Sequence, residues 1–95
     1  MVINYEQVHN YYERLVFEQV ARLSDAHPEF TPDMLVDVAC VALNRLPARY
    51  VRHDVDLMFY LTEHERRAID QSMNEALVFA FAFVAERAAQ RTGQG

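Results

Sequence analysis

Apolar residues recur at three- and four-residue spacings over three stretches of the chain, and each stretch reads as an amphipathic helix. Between Tyr5 and Leu23 the apolar positions are Val8, Tyr12, Leu15, Val16, Val20 and Leu23, with Glu6, Glu13, Arg14, Glu18 and Arg22 between them. Asn4 is the expected cap. The stretch from Ser24 to Phe30 breaks the pattern, because Pro28 lacks an amide hydrogen and disfavours helical backbone at His27, so a loop is expected there. A second helix opens with Thr31 as cap, Pro32 at the first helical position and Asp33 in the first turn. Its stripe is Leu35, Val38, Ala39, Ala42, Leu43 and Leu46, and Pro47 closes it by removing a donor.

The pattern from Ala48 to Leu61 supports two readings. Val55, Leu57, Phe59 and Leu61 alternate with Asp54, Asp56, Met58 and Tyr60, as in a strand. A lone strand needs a mate, supplied by a second copy of the chain, or else the segment is a short helix capped by Asp54 that docks on the bundle. The short helix is preferred. Thr62-Glu63-His64-Glu65 then matches a capping box and starts a long last helix to about Gln90. Ile69, Met73, Ala76, Leu77, Ala80, Phe83 and Val84 share one face of it, with Phe79 and Phe81 on other sides. The tail from Arg91 is expected to fray.

With 95 residues and 11.1 kDa the chain is expected to be one domain. Its 52% hydrophobic content is too rich for disorder, yet a domain this short buries only about 60 to 65% of its extended-chain surface. The segment Ala76 to Ala85 is apolar around the whole helix, more than the other helices can cover. A two-fold interface through Leu77, Phe79, Phe81 and Phe83 is therefore expected, ahead of a monomer core that takes every ring or a cofactor slot between helices. That run has ten residues, short of the roughly 18 to 20 that cross a bilayer, so no membrane insertion is expected.

Charge and composition narrow the chemistry. The net charge is −5, and all nine basic residues are Arg, so a general binder of DNA or RNA backbones is disfavoured and Schiff-base chemistry has no Lys to use. The only glycines are Gly93 and Gly95, which leaves no phosphate-cradling loop. The lone Cys40 forms neither an intrachain disulfide nor a multi-cysteine metal site, and the start Met-Val-Ile-Asn-Tyr-Glu has no secretory pattern, so a cytoplasmic protein is expected.

His9, His27, His53 and His64 lack metal-ligand spacing, and no metal or other cofactor is expected. His53-Asp54 matches a phosphohydrolase dyad only as a dipeptide, so a metal-dependent hydrolase is the least favoured reading. Glu63 and Glu65 are first-turn and capping carboxylates. Arg45, Arg49 and Arg52, with Tyr50 among them, form the one basic concentration. They suit forked phosphate binding and stacking. A purely structural role is the competing reading: Arg45 at the carbonyl end of the second helix, Arg49 and Arg52 paired with Asp54 or Asp56.

Two strings resemble a known family. Asn10-Tyr-Tyr-Glu-Arg-Leu-Val-Phe-Glu18, followed by Asp37-Val-Ala-Cys-Val-Ala-Leu-Asn-Arg-Leu-Pro-Ala-Arg-Tyr-Val51, resembles the late-competence ComFB family over roughly residues 5 to 88. The resemblance implies a small, mainly helical homodimer, not an enzyme, associated with competence, type IV pili or motility, whose members are similar to receptors for cyclic di-GMP or cyclic di-AMP. Some members have a cysteine cluster before the second helix that looks like a zinc site; here Glu29-Phe30-Thr31-Pro32 stands in its place, and zinc is not carried over. Pro47-Ala48 replaces a frequent double proline. The ligand residues are assigned from chemistry: Arg45, Arg49 and Arg52 for phosphates, Tyr50 for stacking, Asp54 for a guanine edge.

The chain is accordingly expected to be an all-α domain of three main helices, forming a cytoplasmic homodimer that binds a cyclic dinucleotide and signals to an unknown protein partner. The alternative is a homodimeric interaction module with no nucleotide ligand, whose grooves beside the last helix take a helix of another protein.

Overall fold

The computed structural model describes residues 1–93, of which the side chains of 1–91 are described. In chain order the elements are β1 (His9–Asn10), α1 (Tyr12–Leu23), α2 (Pro32–Arg45), β2 (Tyr50–Val51), α3 (Asp54–Tyr60) and α4 (Glu63–Gly93). The protein is mainly helical, with one antiparallel pair in which His9 faces Val51 and Asn10 faces Tyr50.

Local chemistry sets α2. The Thr31 hydroxyl accepts from the Met34 amide at 3.2 Å, Pro32 occupies the first turn, and Leu46 swings to φ −102° and ψ 140° ahead of Pro47. The capping box of α4 forms as well: the Glu65 amide donates to the Thr62 hydroxyl at 3.1 Å, and the Thr62 amide donates back to Glu65 Oε1 at 3.4 Å. A single 3-10 turn, Ser24–Ala26, links α1 to the loop that carries Pro28 and the buried Phe30.

Three boundaries differ from the sequence expectation. α1 starts at Tyr12, not near Tyr5: residues 5–8 form a turn closed by the Val8 amide on the Tyr5 carbonyl, and Asn4 bonds Glu6. The reason is tertiary, since His9 and Asn10 are drawn into pairing with β2. The strand of the 48–61 region is Tyr50–Val51, while the alternating stretch beyond it is the short helix α3, following His53. α3 does not dock as expected, for among the described residues it buries none of its own. α4 continues as helix through Gly93 rather than ending at Gln90; of the tail expected to fray, 94 and 95 lie outside the described residues.

α2 is the middle layer, packed against α4 on one side and α1 on the other. Tyr12, Val16 and Val20 of α1, Val38, Ala39, Ala42 and Leu46 of α2, and Met73, Ala76, Leu77, Ala80, Phe81 and Val84 of α4 form one continuous apolar core. Fully buried Ala42 and Ala80 place small side chains on both α2 and α4, which lets their axes approach closely. Phe81 stacks on His27 at 4.5 Å and meets Phe30 at 5.1 Å, so the 27–30 loop encloses it.

The resulting body is elongated, 54 × 39 × 21 Å, with a radius of gyration of 15.9 Å where a compact chain of this length has about 12 Å. Its accessible surface is 7305 Å², against about 5,700 Å² for a compact monomer of this mass. The excess of about 1,600 Å² is carried partly by exposed Phe17, Val36, Val55, Met58, Phe59 and Tyr60.

Candidate ligand-binding site

The ribbon of β1 and β2 is pinned to the start of α1 by one side chain. Asn10 Oδ1 accepts from the Tyr12 amide at 3.2 Å and from the Arg49 amide at 3.0 Å. The Tyr11 amide donates to the Arg49 carbonyl at 2.7 Å, so the backbone entering β2 is held on both its polar groups. Side chains alternate across a strand, which places Val51, half-buried, toward the body and Tyr50, 70% exposed, toward solvent.

Gln7 and His9 brace the far end of the same ribbon. Arg52 Nε donates to Gln7 Oε1 at 2.8 Å, and the His9 ring bridges the Gln7 carbonyl at 2.8 Å to Asp54 Oδ1 at 2.7 Å. Both ring nitrogens of His9 thus face acceptors, an arrangement that favours the doubly protonated ring. The Gln7 carbonyl first and the Asp54 carboxylate second raise its pKa above the ordinary 6.5. Because the folded value is the higher one, this contact contributes fully below about pH 6.5 and weakens as pH rises through the raised value. Replacing His9 by Ala is expected to lower Tm more at about pH 5.5 than at about pH 8.5. An equal gap at the two pH values, measured by thermal denaturation, would remove the charged form of His9 from the account.

The five residues assigned to the ligand do not all converge. Arg49, Tyr50, Arg52 and Asp54 lie together on β2 and its flanks, with Asp54 already engaged by His9. Arg45 leaves the group: its guanidinium sits 3.8 Å above the Phe79 ring and borders a shallow recess with Pro47, Ser72 and Glu75. The competing ion-pair reading of Arg49 and Arg52 is not what forms, since among the described residues neither guanidinium pairs with a carboxylate. Gln7 and His9, which brace this ribbon, carry no signal in the sequence that marks them; Asn10 opens the first of the two family strings, but its bonds to Tyr12 and Arg49 are set by the fold.

The assigned interface residues also divide. Leu77 and Phe81 are buried within their own chain and offer nothing to a partner. Phe79 and Phe83 stack on each other at 5.7 Å, beneath Arg45 and Arg87. They remain partly exposed. Among the described residues, no three His, Cys, Asp or Glu side chains gather where they could share a metal ion, and no helix is long and apolar enough to cross a membrane.

Residues 9–88 match the family described as Late competence development protein ComFB. The chain belongs to this ComFB family, and the match takes in the ribbon, α1, α2, α3 and most of α4. No protein of curated function and no solved structure matches it.

Proposed function

We propose that this ComFB protein is a non-enzymatic, cytoplasmic receptor for a cyclic dinucleotide, acting as a homodimer that relays occupancy to a protein partner in a competence-related process. The observation that supports the reading is the Arg49-Tyr50-Arg52 strip: two arginines without carboxylate partners among the described residues flank, in sequence, an exposed tyrosine on a braced ribbon. Guanidinium binds phosphate in a forked geometry, and a nucleobase stacks on Tyr. A cyclic dinucleotide carries two phosphates and two bases related by a two-fold axis. Two copies of the strip, one from each protomer, supply the same symmetry. Arg45, held over Phe79, is left out of the ligand set.

Titration calorimetry with cyclic di-GMP and cyclic di-AMP tests this. Binding to one of them is expected, with Arg52→Ala or Tyr50→Ala weakening it at least about tenfold, near 1.4 kcal/mol. Absence of heat and of a thermal shift with both nucleotides, well above micromolar concentration, would overturn the receptor reading. The competing reading, an interaction module indifferent to nucleotides, is favoured by a separate observation: the solvent-facing apolar residues of α3.

A further inference from the structure

Among the described residues two apolar surfaces stay largely exposed, one concave and one convex. The concave one is a groove of about 790 Å³ between α1 and α2, walled by Phe17, Val20, Leu35, Val36, Ala39 and Leu43. Phe17 is 52% and Val36 68% exposed. The convex one is α3, where Val55, Met58 and Phe59 fall at the first, fourth and fifth positions of one stripe, and Phe59 is 84% exposed. A short amphipathic helix with that spacing is the usual occupant of an apolar groove.

We propose that α3 of one protomer seats in the α1–α2 groove of a second copy, reciprocally, and that this exchange builds the homodimer on which the receptor reading rests. α3 cannot reach its own groove. It is held at its start by His9 on Asp54 and near its end by Arg66, which donates to the Met58 carbonyl at 2.8 Å. Met58 and Leu61 border the opposite flank of α1, beside Tyr11 and Leu15, whereas the groove opens on the flank of Phe17 and Ala21.

The area and the symmetry both fit a second copy. The whole chain's excess surface of about 1,600 Å², to which Phe17, Val36, Val55, Met58 and Phe59 contribute along with the exposed N-terminal residues, is larger than the roughly 800 Å² per partner of a standard interface. Reciprocal exchange is closed by a two-fold axis, so a convex and a concave surface on each copy are both satisfied without further growth. Arg52 is two residues from α3, within about 7 Å of chain. The ligand strip therefore lies at the edge of the exchanged contact, where nucleotide and assembly would be felt together.

The sole cysteine provides the test, since Cys40 is exposed and lines the groove. The full chain carrying Phe59→Cys, treated with a short bis-maleimide, is expected to give a covalent dimer. Mixed isotope labelling should show Cys40 of one copy joined to position 59 of the other. Crosslinks joining Cys40 to Cys40, already in the unsubstituted chain, or position 59 to position 59, would overturn the exchange. Light scattering supplies the second arm: Val36→Glu and Phe59→Glu, both exposed positions, should each raise the dimer dissociation constant at least about a hundredfold, with helix content unchanged. Mixing the two variants should restore a dimer, because one intact groove and one intact α3 remain as a pair. If Val78→Glu on the exposed face of α4 disrupts the dimer and these two do not, the exchange is wrong and the homodimeric receptor stands. A chain that is monomeric at tens of micromolar overturns both the exchange and the dimer, while calorimetry judges nucleotide binding separately.

Discussion

Replacing Leu77 by Ala is expected to lower the free energy of unfolding by about 2–5 kcal/mol. Leu77 is 3% exposed within the α1, α2 and α4 core, and truncating it removes buried apolar atoms and leaves a cavity. Small domains are stable by about 5–15 kcal/mol in all, so the loss is a large share of the total. Val78, the next residue, is exposed, and Val78→Ala should shift stability by no more than about 0.5 kcal/mol. Urea unfolding followed by helical circular dichroism, at one protein concentration throughout, measures both. The comparison also decides what Leu77 is for. A variant that unfolds like the parent chain yet dissociates would place Leu77 at an interface and contradict its position inside the protomer.

Asn10→Ala should be the most damaging single change at the ribbon. One side-chain oxygen accepts from the Tyr12 and Arg49 amides, so its removal passes the exposed Arg49 amide to water and leaves the part-buried Tyr12 amide without its partner, a cost of roughly 1–3 kcal/mol. The effect reaches past stability because Arg49 opens the strip that leads through Tyr50 to Arg52. Hydrogen exchange of the Tyr11 amide, which donates to the Arg49 carbonyl, should accelerate, and nucleotide affinity should fall as far as in Arg52→Ala. Asn10→Asp keeps an acceptor at the start of α1, where negative charge is favoured, and should restore both. Slow exchange at Tyr11 in Asn10→Ala would show that the ribbon holds without this side chain.

The elements that sequence periodicity locates well are those whose boundaries are local events. Thr31 and Pro32 start α2, Pro47 stops it, and Thr62 with Glu65 starts α4, because the partners of these caps lie within four residues along the chain. The ribbon is different. Asn10 and Arg49 are 39 residues apart, and His9 and Asp54 are 45 apart. No pattern near His9 distinguishes it from any other exposed histidine. The same limit explains the late start of α1, where Val8 continues the helical spacing but is exposed in the turn before β1.

α3 shows the two levels meeting. Asp54, Val55, Asp56 and Leu57 alternate acidic and apolar as a strand would, and the segment also places Val55, Met58 and Phe59 on one helical stripe; the short segment following His53 is a helix, and β1 already pairs with Tyr50–Val51. Neither pattern says that the stripe would be left facing solvent. That outcome depends on where α1 and α4 run, and it turns a helix expected to dock on the bundle into an exposed apolar surface.

The sequence by itself determined the number and kind of main helices, the stops and starts between them, and the Arg and Tyr residues available for an anionic, aromatic ligand, because caps, prolines and side-chain chemistry act over a few residues. The periodicity puts Phe83 on the core face of α4 with Leu77, Ala80 and Val84, and Phe79 and Phe81 on other sides, whereas Phe81 is the buried ring and Phe83 is partly exposed. Only the tertiary structure decided which side turns inward. Phe81 is enclosed by Phe30 and His27, Phe79 and Phe83 lie under arginines, and Arg45 is drawn away from the strip it was expected to join. The physical reason is that burial is a competition among surfaces for the same interior, and that competition is settled by the packing of α2 against α4, not by any one helix.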